Sequence, residues 1–157
     1  MSIELYRIDD RLVHGQVMVA WSKIYRTTNI IIADDETASN RFICEVMKMA
    51  VPRDYSVQIL TMSDAIEKIN GDPPGNRTMV IAKGPRAALD LIEGGVSMKE
   101  LNVGNMGAGP RRKAVMRSIQ LDPEELETFK KIAQKGVRVY FQIIPDGRSV
   151  ELDKIRL

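Results

Sequence analysis

The chain of 157 residues contains one histidine, His14. It lies in the run Arg7-Ile8-Asp9-Asp10-Arg11-Leu12-Val13-His14-Gly15-Gln16-Val17, where an apolar strand pattern hands over to a helical one. A single histidine thins out metal clusters, Ser-His relays and paired-imidazole phosphatases. What remains is an imidazole that itself accepts a group. Arg11, three residues earlier, offers a planar cation able to pair bidentately with a phosphate. The backbone N–H groups of Gly15, Gln16 and Val17 would be the unpaired donors of a starting helix, a ready anion site. The plain alternative is a surface histidine on a connecting loop. The adjoining anion cradle turns the reading toward a phosphoryl acceptor, His14, with Arg11, Gly15, Gln16 and Val17 around the phosphate.

The other chemistry-bearing residues are weaker. Asp9-Asp10 ends the first strand, as the magnesium-binding acids of receiver domains do. Such a domain then needs an acceptor aspartate after its third strand, where this chain has Thr61-Met62. The favoured reading is that Asp10 pairs with Arg11 or orients the loop. Asp34-Asp35 reads as a solvated turn, with lining of the cleft as the lesser alternative. The glycines of Gly104-Asn105-Met106-Gly107-Ala108-Gly109 have the order Gly-x-x-Gly-x-Gly, not that of a dinucleotide turn, and follow the fifth strand instead of the first. No Gly-x-x-x-x-Gly-Lys-[Ser/Thr] occurs, so no P-loop is expected. Val13-His14-Gly15 is similar to the Arg-His-Gly of histidine phosphatases, which need a second histidine. Arg111-Arg112-Lys113 reads as an exposed charged face, and Cys44 as packing on a helix.

Composition bounds the rest. The length suits one domain, able to bury roughly two-thirds of its unfolded surface. Hydrophobic residues make up 44% and charged residues 28%, an ordinary globular balance. With 23 basic and 21 acidic residues the net charge is +2, so bulk charge makes no case for nucleic acid or a membrane surface. One cysteine excludes an internal disulfide and a CxxC site and fits a reducing compartment. Met1-Ser2-Ile3-Glu4 lacks the basic start of a signal peptide, and no apolar run approaches the ~20 residues of a bilayer span. A cytoplasmic location is expected.

The positioning elements alternate strand and helix. Ile3–Ile8 reads as the first strand, and from Gly15 the residues Val17, Ala20, Trp21 and Ile24 mark one helical face. Asn29–Ala33 is a β-branched run suited to a strand buried on both faces. Ile43, Val46, Met47 and Ala50 repeat the helical spacing before Pro52. Ser56–Leu60 predicts a strand, and Met62, Ala65, Ile66 and Ile69 a helix. A loop spans residues 71–76 around Pro73-Pro74. Thr78–Ala82 predicts a fourth strand and Pro85 opens a helix with Ala88, Leu91 and Ile92 inward. Leu101–Val103 is a fifth strand and Val115–Leu121 another. Asp122, Pro123 and Glu125 form a capping-box start for a helix buried through Leu126, Phe129, Ile132 and Ala133 and stopped by Gly136. Val137–Ile144 follows as a strand.

This alternation predicts an α/β fold, one domain over 1–157, with a mostly parallel central sheet of about seven strands and helices on both faces. Ligands of such sheets sit outside the carboxyl ends of the strands. His14 falls there, and so do the accessory candidates Asp10, Lys83 and Asn105.

The run RIDDRLVHGQV followed by Trp21 closely resembles the start of IIB subunits in the mannose/fructose/sorbose branch of the bacterial sugar phosphotransferase system. The resemblance continues through Leu101-Asn-Val-Gly104, Pro123-Glu-Glu125, Gly136-Val137 and Gln142-Ile-Ile-Pro145, essentially the whole chain. It implies a protein-phosphohistidine–sugar phosphotransferase, a cytoplasmic phosphocarrier peripheral to a membrane permease. His14, through ring Nδ1, would take a phosphoryl group from a IIA subunit and give it to a sugar entering through IIC and IID subunits, with Arg11 as phosphate partner. No cofactor and no metal are expected, and a homo-oligomer is left open. The chain shows no fused IIA segment, so a separate donor polypeptide is expected. Two other readings remain: an aspartyl-phosphate signalling domain on Asp9, Asp10 or Asp34, and a non-catalytic regulatory relative.

Overall fold

A computed structural model describes residues 2–72 and 76–157; the Pro73-Pro74 part of the expected loop lies outside them. Seven strands form one sheet in the order β3-β2-β4-β1-β5-β8-β9. They are β1 (Ser2–Asp9), β2 (Asn29–Ala33), β3 (Ser56–Leu60), β4 (Arg77–Ala82), β5 (Glu100–Asn105), β8 (Arg138–Phe141) and β9 (Val150–Glu151). All neighbours are parallel except β9, which turns back on β8. β6 (Lys113–Met116) and β7 (Ile119–Leu121) form a separate antiparallel hairpin. The α/β class and the mostly parallel seven-stranded sheet agree with the sequence reading.

The helices are α1 (Gly15–Tyr25), α2 (Asp35–Ala38), α3 (Arg41–Met49), α4 (Met62–Gly71), α5 (Pro85–Glu93) and α6 (Pro123–Gln134). They divide the apolar core into two. Met18 and Trp21 of α1, with Met47 of α3, pack on Leu5, Ile30, Ile32, Met79 and Ile81 from one side. Ala65, Ala88, Leu91, Phe129 and Ile132 of α4, α5 and α6 cover Tyr6, Ile8, Ile31, Val80 and Val103 from the other. The alternation of Ile30, Ile31 and Ile32 between these cores shows why β2 is continuously β-branched: both its faces are buried.

Winding runs outward from β1 to β2 and β3, then reverses through β4, β5 and β8. β1 is the strand that both halves share, flanked by β4 and β5. Its outgoing helix lies on one face, whereas α5 and α6, which follow its neighbours, lie on the other. The loop after β1 therefore opens at the reversal of strand order, where open α/β sheets bind ligands.

Several expectations are corrected. Val115–Leu121 is not one strand: Ser118 takes a left-handed φ of 62° and folds the segment back as β6 and β7. Val137–Ile144 is a strand only over Arg138–Phe141: the Gln142 N–H still donates to the Val103 carbonyl, but its own carbonyl accepts from Arg7 and Asn102 and its side-chain amide donates to the carbonyls of Pro145 and Gly147. The inner face of α1 is Met18, Trp21 and Ser22, while Ile24 is 65% exposed. None of α3 is fully buried: Val46 and Ala50, expected inside, face solvent with Phe42 and Met49. Its Cys44 is half-buried and donates to the Thr37 carbonyl. Arg112 is no free surface cation, since its Nε and Nη2 grip the Glu125 carboxylate at 2.9 and 2.7 Å. The capping box of α6 is present in both directions.

Candidate functional site at the end of the first strand

β1 ends on Asp9, and the chain turns at once. The Leu12 N–H donates to the Asp9 carbonyl at 2.9 Å, and Leu12 adopts a left-handed φ of 59°. That conformation strains a branched residue by about 1–3 kcal/mol. Burial of the Leu12 side chain against the α1 core holds it in place. Val13 then leads to His14, which is exposed and serves as the N-cap of α1 with extended φ and ψ of −129° and 92°. Its carbonyl accepts from Met18 N–H, so the helix starts there. Its imidazole does not cap the helix, and the first turn carries no acid. The amides of Gly15, Gln16 and Val17 are thus the open donors that every helix start leaves. An exposed imidazole and a helix-start anion site occupy one turn of chain.

Beneath this turn lies a network of charge. Arg7 and Asp9 point to the same side of β1, as alternate residues of a strand do, and each is only 2% exposed. The Arg7 guanidinium donates to Asn102 Oδ1, to the carbonyls of Gln142 (3.4 Å) and Ile143 (3.2 Å), and to Asp9 Oδ2 (3.4 Å). It also lies 5.1 Å from the centre of the Trp21 ring. Trp21 Nε1 donates to the same Ile143 carbonyl at 3.0 Å. Burial lowers the Arg7 pKa to about 10, with the Asp9 charge opposing the fall, which leaves the group cationic at neutral pH. Arg11 completes the set: Nε reaches Asp9 Oδ1 at 3.0 Å and Nη2 reaches Oδ2 at 2.9 Å. The hydrogen bond to Asp9 raises the Arg11 pKa.

Gly104 makes room for this arrangement. A Cβ there would overlap the Arg7 guanidinium, so Gly104→Ala forces Arg7 or β5 to move. Overpacking of this kind costs about 1–3 kcal/mol. The expected result is a lower urea midpoint with an unchanged m-value; an unchanged midpoint would show that Arg7 has slack.

The second acid serves a different purpose. Asp10 accepts from Asn105 Nδ2 at 2.6 Å and from the Gly107 N–H at 2.7 Å, and Arg112 Nη1 stands 3.8 Å away. Of the two readings of Asp10, the one realised is orientation of the loop: it ties the β1 turn to the glycine-rich loop after β5. Arg112 Nη1 also donates to the Gly107 carbonyl, so that loop is anchored to α6 through Glu125. The structure thus gathers His14, Arg11, Asp10, Asn105 and the α1 amides at one corner. Lys83 is elsewhere, paired with Asp34 at 3.1 Å in a cleft lined also by Glu36, Arg86 and Lys131. Among the described residues no three His, Cys, Asp or Glu side chains are grouped to hold a metal ion.

Sequence reasoning missed Arg7 and the task of Asp9. The signal was readable: an arginine inside an apolar strand, with an acid two residues on, puts both charges on one buried face.

A doubly wound parallel sheet with one exposed histidine at the switch of strand order is a scaffold fit for group transfer. The chain belongs to the sorbose-subfamily IIB components of the phosphotransferase system, whose family model matches residues 3–157. It is 30% identical to the sorbose-specific EIIB component of Klebsiella pneumoniae, over 99% of this chain and 96% of that one. It is likewise 30% identical to N-acetylgalactosamine-specific IIB component 1 of Escherichia coli, over 96% of each. The mannose-specific EIIAB component of Escherichia coli is 31% identical over 88% of this chain, which spans 43% of that longer protein. Among solved structures, the IIB domain of the Klebsiella pneumoniae sorbose permease superposes with a TM-score of 0.92 at 29% identity, covering 98% and 96% of the two chains. The protein manxB of Thermoanaerobacter tengcongensis gives 0.91 at 31% identity, covering 97% and 93%. No helix among the described residues is long and apolar enough to cross a membrane.

Proposed function

We propose that this chain is the phosphocarrier of a sugar phosphotransferase system, with His14 accepting a phosphoryl group from a IIA subunit and handing it to a sugar at IIC and IID membrane subunits. The observation that carries the reading is an exposed, uncommitted imidazole at the start of α1, beside open helix amides and Arg11. The family's name supports the class of activity, and the EIIAB name of the mannose relative supports a IIA partner.

In the forward step, the lone pair of a His14 ring nitrogen attacks phosphorus in line with the nitrogen of the donor phosphohistidine. One N–P bond forms as another breaks, and the donor imidazole departs with the electron pair. The exchange is nearly balanced in energy, as a relay requires. In the second step a sugar hydroxyl attacks, the N–P bond of His14 breaks, and the hydroxyl proton is lost to the surroundings. Phosphoryl transfer passes through a loose transition state, so the protein's contribution is positioning and charge stabilisation. The Gly15, Gln16 and Val17 amides and Arg11 supply these. Asp10 and Asn105 brace the loop. Lys83 is held by Asp34 in the cleft that Glu125 also lines, and takes no part in this reading.

Incubation with phosphoenolpyruvate, enzyme I, the general phosphocarrier and IIA tests the proposal. The expected product is one phosphoryl group per chain, acid-labile and alkali-stable as phosphohistidine is. An alkali-labile label would instead mark an aspartyl phosphate, and no label would mark a regulatory relative. Transfer between IIA and this chain is also expected to continue after magnesium is removed with EDTA. A strict magnesium requirement at that isolated step would favour chemistry on Asp9 and Asp10.

A further inference from the structure

The transfer just described uses Arg11 but leaves two buried charges unexplained. Burying a guanidinium is costly, and an apolar side chain could fill the space beneath Gly104 without that penalty. Arg7 is nonetheless fully enclosed, with Asn102, two carbonyls, Trp21 and Asp9 around it. Asp9 is equally enclosed and is shared between Arg7 and Arg11.

The geometry of Arg11 shows what this achieves. A guanidinium offers one edge made of Nε and Nη2 and another made of Nη1 and Nη2. Asp9 occupies the first edge with both oxygens, and it also accepts from the Arg11 backbone N–H at 3.1 Å. The second edge has no protein partner among the described residues. Arg11 itself is only half-buried, in the same turn as His14. Arg7 adds the balance of charge. Asp9 alone would neutralise Arg11 and weaken its pull on an anion; Arg7 offsets Asp9, while Asp10, which also acts on Arg11, is engaged by Asn105, the Gly107 N–H and Arg112.

We infer that Asp9 and Arg7 are positioning residues for phosphoryl transfer: Asp9 grips the inner edge of Arg11 so that its outer edge is free for the phosphoryl group on His14, and Arg7 holds Asp9. This rests on the phosphocarrier reading. Arg11 then binds the phosphoryl group without releasing Asp9, and it loses little side-chain freedom at the moment of reaction.

A double-mutant cycle on single-turnover transfer from phosphorylated IIA tests the inference. Rates are taken at saturating donor and normalised to the fraction of chain finally labelled, so that misfolded protein does not count. Asp9→Asn is expected to slow transfer at least ten-fold in the otherwise native chain and less than two-fold in an Arg11→Ala background. Arg7→Gln should show the same pattern. Half-saturation by the donor should change little, because the effect lies on the chemical step. Equal slowing in both backgrounds would overturn the inference, since a general structural defect does not depend on Arg11. Absence of any His14 label in the native chain would overturn the phosphocarrier reading and this inference with it; a labelled His14 with additive cycles would overturn the inference alone.

Should Asp9→Asn fail to fold, the native protein decides. In nitrogen-15 spectra assigned by Arg11→Lys, the Arg11 Nε–H signal should be protected from solvent exchange and remain protected after phosphorylation. A signal that exchanges freely in the unphosphorylated protein, or loses protection on phosphorylation, would overturn the inference.

Discussion

His14→Ala is expected to abolish labelling by phosphorylated IIA completely, with the folded content of the protein unchanged. The loss is total because no second imidazole exists to take over. The fold should survive because His14 is exposed and its side chain makes no capping bond to α1. Alanine is a poorer N-cap residue than those with a side-chain acceptor, but the present imidazole already contributes none. Far-ultraviolet circular dichroism and a urea midpoint within about 0.5 kcal/mol of the native chain, as for a surface change, would confirm that only chemistry was removed. Label retained on His14→Ala would move the phosphoacceptor elsewhere.

Arg11→Ala is expected to slow transfer by a factor of about a hundred or more. Loss of one preorganised contact to developing transition-state charge costs about 2.7–4 kcal/mol. Arg11→Lys restores the charge but not two parallel bonds to Asp9, so it should fall between native and Arg11→Ala. Stopped transfers at several times, with the native chain in parallel, measure both. Native rates for both variants would assign Arg11 to the scaffold.

Much of this architecture was legible from residue order because local and global preferences agree. The continuous β-branched run of β2, the capping box of α6 and the strand-helix alternation each pointed to one outcome, and His14 followed from its place between β1 and α1. The failures have physical causes. Ser118 turns the chain with a left-handed backbone that neither glycine nor asparagine announced. The periodicity of α3 was real, but Met47 packs on the inner core while Phe42 and Met49 stay outside. β8 stops short because the Gln142 carbonyl accepts from Arg7 and Asn102 while its side-chain amide donates to the carbonyls of Pro145 and Gly147. At the site, the order of residues placed His14 and Arg11 together in the turn between β1 and α1. It did not show what encloses Arg7 beneath that turn, since Asn102 is 95 residues away from it in the chain.

The Arg7 bonds also set an order of events during synthesis. Its acceptors are Asn102, Gln142 and Ile143, separated from it by 95, 135 and 136 positions. β1 leaves the ribosome before β4 and β5 and has no hydrogen-bonded neighbour until they follow. Sheets joined by such distant pairings assemble slowly. Even then Arg7 lacks two of its carbonyls, and Trp21 lacks its acceptor, until residue 143 is free of the exit tunnel. The turn bearing His14 is therefore made well before the carbonyls of Gln142 and Ile143 on which it rests. A nascent chain thus displays the histidine long before it can present the finished charge network beneath it.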